Sequence, residues 1–185
     1  MGNSARLLHD HALILQEILR DYALPWRGDH GVVHWARVLE NGLRVAEANG
    51  GDAEVVRLFA LFHDSRRVNE DVDHGHGMRG GDLARAWRGS LVHLDDARFA
   101  LLYDACALHT DGHTTGDPTL LACWDADRLD LGRVGIVPKP NLLCTDMARE
   151  LLPWAHARAV AAHAPTEVLL SWGMTPADYW SSRPV

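Results

Sequence analysis

Asp52-Ala-Glu-Val-Val-Arg-Leu-Phe-Ala-Leu-Phe-His63-Asp64 opens on an acidic N-cap candidate, runs apolar, and ends abruptly in two strong ligands for a divalent cation. A helix of this composition is built to be buried, yet it delivers polar groups to its own inner end. Outward from it, His34 lies upstream, and His76, His109 and Asp127 lie downstream. The series His, His-Asp, His, His, Asp is a metal-site signature.

Neutral imidazole binds Zn, Fe, Mn, Ni or Co through one nitrogen. An adjacent carboxylate can bind one ion or bridge two, so His63 and Asp64 together can serve a shared centre. A single histidine on an apolar helix face is more often a hydrogen-bonded core residue. The conjunction argues otherwise, because six buried polar residues without a metal would each need another partner.

On these residues the chain resembles the HD-domain metal-dependent phosphohydrolase superfamily, whose name comes from the doublet seen here as His63-Asp64. The resemblance runs from about Gly28 to Gly135. His30-Gly-Val-Val-His34-Trp-Ala-Arg37-Val38 matches the first ligand helix, and Leu58-Phe-Ala-Leu-Phe-His63-Asp64 matches the doublet helix. Trp124-Asp-Ala-Asp127-Arg-Leu-Asp130 matches the last motif, with the ligand position on Asp127 rather than Asp125. Mononuclear members use the positions matched by His34, His63, Asp64 and Asp127, whereas dinuclear members insert two more histidines. His76-Gly-Met-Arg-Gly-Gly81 and His109-Thr-Asp-Gly112 resemble the corresponding segments of bacterial di-iron diadenosine tetraphosphate hydrolases. His74 and His113 are rivals a few residues away, but only His76 and His109 begin the family strings. A solvated or outer role is the alternative for His74 and His113, and a surface loop for His93.

The resemblance implies an all-α fold, an HD-domain helical bundle. It also implies two divalent ions (Fe, Mn, Co, Ni or Zn) on His34, His63, Asp64, His76, His109 and Asp127, and hydrolysis of a phosphate ester or anhydride on a nucleotide-like small molecule. Asp64 is expected at the reaction centre, with His30 and His113 as reachable candidates for the leaving-group acid. Arg66 and Arg67 follow Asp64 directly, and their guanidinium forks suit phosphate oxygens; Arg79 is a third candidate. The alternative for the arginine pair is surface salt bridging to Glu70, Asp71 or Asp73. A second functional class is the di-iron oxygenase, since phosphonate-cleaving HD-domain enzymes and myo-inositol oxygenase share the ligand order. No oxygenase-specific string stands out beyond the ligands.

With 185 residues and 47% hydrophobic content, the chain can bury one sizeable core, so a single domain over 1–185 is expected, with its centre at about 28–135. A formal charge of −7 argues against broad nucleic-acid binding but leaves a small anionic substrate compatible, because local arginines can outweigh the balance. No leader and no bilayer-length apolar run is read, so a cytoplasmic protein is expected. Cys106, Cys123 and Cys144 have no metal or redox spacing and read as reduced core residues.

The expected layout begins with an amphipathic helix over 3–24, with Leu7, Leu8, Ile14, Leu15 and Ile18 apolar. Asp29 is the expected cap of the next helix, which carries His30 and His34 on one face and stops at Gly50-Gly51. A polar loop over 65–75 follows, then helices over 80–87, 95–108 and 118–131. Asp117-Pro118 opens the last of these, and Gly132 is expected to close it in the left-handed conformation. Arg128 could contact phosphate, but pairing with Asp125 or another nearby carboxylate is the more ordinary expectation. An extension over 138–185 carries a Thr145-capped helix and the aromatics Trp154, Trp172, Tyr179 and Trp180, packed on the bundle or on a second subunit as a homodimer.

Overall fold

The computed structural model describes residues 9–180, and among them every regular element is helical. In chain order these are α1 (His11–Arg20), α2 (Val32–Asn49), α3 (Ala53–Phe62), α4 (His76–Ala86), α5 (Asp96–Leu108), α6 (Pro118–Arg128), α7 (Asp146–Val160), α8 (Thr166–Ser171) and α9 (Pro176–Trp180), with short 3-10 turns at Leu131–Val134 and Pro140–Leu142.

The bundle is organised around α3. Asp52 caps it, accepting the N–H groups of Glu54 and Val55 at 2.9 and 3.1 Å. Arg98 holds the same carboxylate with two N–H groups at 2.6 and 2.8 Å, tying α5 to the start of α3. Val55, Val56 and every residue from Leu58 to Phe62 are fully buried. So broad an apolar surface must be enclosed, and α3 touches α1, α2, α4, α5 and α6. The longer α2 packs most extensively on α6 and also reaches α3, α7 and α8.

Several boundaries differ from the sequence expectation, each for a local reason. α1 starts at His11, where Asp10 accepts the Leu13 N–H at 2.9 Å, and it stops at Arg20; Leu7 and Leu8 lie outside the described residues. α2 is capped by Gly31, not Asp29, because the chain before it folds into turns in which Val32 donates to Trp26 O at 2.8 Å. His30 therefore precedes the helix instead of riding on it. α4 begins at His76, four residues early, because Gly75 takes a φ of 77° and swings the chain into the helix. The left-handed position after α6 belongs to Gly135 (φ 75°). Gly132 is instead a close approach, since a Cβ there would lie 2.8 Å from His156 Nδ1. Asp125 is buried and accepts the backbone N–H groups of Cys144 and Thr145 and the Thr145 hydroxyl at 2.6–2.9 Å, fixing the start of α7. Arg128 reaches the carbonyls of Leu142 and His113 instead.

Trp172 and Tyr179 are buried in the core, and Trp154 is half-buried with the Arg44 and Arg158 guanidinium groups over its ring. All three cysteines are free; Cys106 and Cys123 are buried and Cys144 half-buried. Among the described residues no helix is long and apolar enough to cross a membrane.

The contact that sets α4 beside the end of α3 is made at Gly80. A Cβ there would lie 2.1 Å from the Phe62 carbonyl oxygen, which belongs to backbone and cannot swing aside. Gly80→Ala is expected to cost about 1–3 kcal/mol through overpacking, read as a lower urea midpoint. An unchanged midpoint would show that this approach is not required.

Candidate metal centre

Five elements converge on one buried point. His34 comes from the first turn of α2, His63 and Asp64 from the end of α3, His76 from the first residue of α4, His109 from the end of α5 and Asp127 from the last turn of α6. They form two half-sites. His34, His63 and Asp127 present ligand atoms within 4.8 Å of one another, and so do Asp64, His76 and His109. Asp64 faces both: Oδ2 lies 3.5 Å from His34 Nε2 and 3.7 Å from His63 Nε2, while Oδ1 lies 3.2 Å from His76 Nε2 and 3.9 Å from His109 Nε2. One carboxylate thus has an oxygen for each half-site, the arrangement a bridging ligand needs.

The proton positions on the four rings follow from their partners. A backbone carbonyl can only accept, so the Nδ1 atoms of His63, His76 and His109 carry hydrogen and donate to Phe59 O, Asp73 O and Cys106 O at 3.1, 2.6 and 2.7 Å. His34 Nδ1 donates to Asp130 Oδ2 at 2.7 Å. In their neutral forms, rings so held turn four unprotonated Nε2 atoms inward. His34 and His63 then bring lone pairs to 3.2 Å, and His76 and His109 to 3.0 Å, with no proton between them. Asp64 Oδ1 and Asp127 Oδ1 are buried without a hydrogen-bond partner. Facing lone pairs and unpartnered carboxylate oxygens at zero to fifteen per cent side-chain exposure are costly without a cation, so the residues fit divalent metal.

Burial pushes His63 down to about 3 and lowers His109 as well, keeping both rings neutral. For His76 burial also acts downward, but the Asp64 carboxylate beside it prevails and raises it. Burial opposes ionisation of both ligand carboxylates. The imidazoles around Asp64, and the Arg133 guanidinium with the imidazoles around Asp127, nonetheless hold both below the ordinary carboxylate range.

Two groups that the motif reading did not single out support the ligands. Asp130 is buried and receives His34 on Oδ2 and Arg37 on both oxygens, with Arg37 Nε at 2.6 Å from Oδ1 and Nη2 at 3.0 Å from Oδ2. Arg133 stands 3.6 Å from Asp127 Oδ1 and 3.9 Å from Asp130 Oδ2. The matched spacings His34-x-x-Arg37 and Asp127-x-x-Asp130, each one helical turn, were the available signal for the first. Gly77 matters in the same way: a Cβ would lie 2.1 Å from Cys106 O and 2.7 Å from His109 Nδ1, the acceptor and donor that orient His109.

The other candidates are placed differently from one another. His30 is buried, donates through Nδ1 to Glu70 at 2.6 Å, and sits edge-on to His34 with ring centres 6.2 Å apart. His113 lies exposed against Trp124, 4.0 Å from Asp111, outside the convergent set. Arg67 points into the centre, 3.7 Å from Asp64 Oδ1. Arg66 donates to the carbonyls of Ile18 and Ser65, and Arg79 is spent on both Asp73 oxygens at 2.6 and 2.7 Å. His74 is exposed and His93 half-buried. Beside His34, a recess of about 140 Å³ is lined by Arg27, Arg37 and Arg133 together with Asp29 and Ala162.

A third cluster joins His9, His11 and Glu54. His9 Nε2 accepts the His93 N–H at 2.8 Å, so its proton is on Nδ1 and goes to Glu54 Oε1 at 2.6 Å. That ring has no lone pair left for a cation.

No protein-family model matches the chain, and no curated protein matches it. Among solved structures, it is similar to a crystal structure described as a predicted HD superfamily hydrolase from an uncultured Thermotogales bacterium, at 24% identity and a TM-score of 0.62, over 82% of this chain and 86% of that one. The likeness establishes the fold as an all-α bundle of the HD-domain type.

If Asp130 orients His34 as a ligand, Asp130→Asn should weaken binding of one divalent ion about 10–100-fold in equilibrium dialysis while the helical circular dichroism signal is kept. Undiminished affinity would mean that His34 needs no such support.

Proposed function

We propose that the chain is a metal-dependent phosphohydrolase acting on a small phosphate ester or anhydride, with nucleotide-like molecules as the substrate class. The observation that carries this reading is the bifacial Asp64 carboxylate, with one oxygen turned to each half-site. The similarity to a structure described as a predicted hydrolase supports the same class.

Divalent ions in such a centre supply Lewis acidity, lowering the pKa of a water and screening phosphoryl charge. The chain's own residues do the rest. Only two of the six ligands, Asp64 and Asp127, are anionic, so a metal-loaded centre keeps a positive balance that draws an anion. Arg27, Arg37 and Arg133 around the recess beside His34 extend that field toward one side, where a phosphate-sized group can lie. His30 is held by Glu70 as a proton-handling group is held by an orienting carboxylate. Enclosure by α2, α3 and α6 keeps bulk water from the inner face of the ligands.

A screen of purified protein with Mn, Co or Fe over nucleotides and dinucleoside polyphosphates should give phosphate release. Asp64→Ala is expected to abolish it and to release most bound metal, because no other residue among those described offers an oxygen to both half-sites. Oxygen consumption without phosphate release would replace this reading with the oxygenase one, and full turnover in Asp64→Ala would remove the centre itself.

A further inference from the structure

Arg67 stands where the second half-site opens. Its Nη1 lies 3.2 Å from His76 Nε2, 3.5 Å from His76 Nδ1 and 3.7 Å from Asp64 Oδ1. Two of the three ligating atoms of that half-site therefore face a fixed positive charge. The side chain is 7% exposed and firmly tethered, with Nη2 donating to Asp71 O at 2.6 Å and Nε to Asn69 O at 3.3 Å. Among the described residues its one ion-pair partner is Asp64. The first half-site is treated differently. Arg133 approaches Asp127 but also stands against Asp130, which is not a ligand, and no arginine N–H is within hydrogen-bond distance of His34 Nε2 or His63 Nε2 among the described residues.

We propose that Arg67 supplies the positive charge of the second half-site in the resting protein, so that the centre binds one divalent ion tightly at His34, His63 and Asp127, and a second weakly at Asp64, His76 and His109 as Arg67 gives way. The proposal rests on the metal-centre reading above. Guanidinium and cation compete for the same Asp64 Oδ1, and at these distances in a buried site they repel strongly. Because the same guanidinium clamps the carbonyls of residues 69 and 71, occupation of the second half-site also loosens that loop.

The test is a Mn²⁺ titration of metal-free protein, followed by electron paramagnetic resonance and calorimetry. Wild type should show two steps separated by about 10-fold or more in Kd. Arg67→Met and Arg67→Gln, which remove the charge, should tighten the second step about 10-fold or more and leave the first unchanged. Arg67→Lys, which keeps the charge and loses the fork, should stay close to wild type. A purely structural role would instead make Lys behave like Met. Should the Met variant not fold, the Gln variant and the wild-type separation carry the test. Equal steps in wild type, or an unchanged second step in variants that keep their circular dichroism signal, would overturn the proposal. Failure of the metal-centre reading looks different: no Mn²⁺ bound at all, or a first step indifferent to His63→Ala.

Discussion

A carboxylate at 1% exposure is the constraint around which this bundle is arranged. Asp64 follows a helix whose inner residues are all apolar, and its Oδ1 has no hydrogen bond. An isolated charge in such surroundings would neutralise rather than stay ionised. What keeps it ionised is the ring of imidazoles, His63 beside it and three more from α2, α4 and α5, with the Arg67 guanidinium, each brought within 4 Å. The tertiary packing of α2, α4 and α5 on α3 is therefore also an electrostatic requirement of the residue at the end of α3.

Orientation of the ligands follows one rule with two kinds of partner. Three histidines sit at helix ends and donate Nδ1 to a backbone carbonyl three or four residues earlier, those of Phe59, Asp73 and Cys106. His34, in the first turn of α2, donates instead to a side chain, that of Asp130. One of the four histidines thus has a dedicated carboxylate with an arginine behind it, whereas the other three have backbone.

The convergence was legible because chemistry forces residue type and order: the six positions named from the motifs come together as two of the groups that could hold a metal ion. Helix caps at Asp52, Asp117 and Thr145 were legible for the same reason, since a cap is a local hydrogen bond. What the sequence hid was long-range. Asp125 looked like a helix-surface partner for Arg128, yet it fixes α7, twenty residues on. Arg66, Arg67 and Arg79 read alike as phosphate forks, and only packing reveals that Arg79 belongs to Asp73 and Arg66 to carbonyls, while Arg67 turns inward.

Residue type and proximity alone would also have granted a metal to His9, His11 and Glu54, which meet the same distance criterion as the two half-sites. The distinction lies in the protons. In the half-sites each Nδ1 donates away from the centre, leaving Nε2 free to ligate. In the third cluster a backbone N–H from His93 takes the lone pair of His9, and the remaining proton binds Glu54. There burial acts to raise Glu54, but the hydrogen bonds from His11 and His9 outweigh it and hold the carboxylate below its usual range. That cluster ties the start of α1 to α3 with hydrogen bonds already satisfied. A metal site differs from such a tie in having acceptors that face one another with nothing to share.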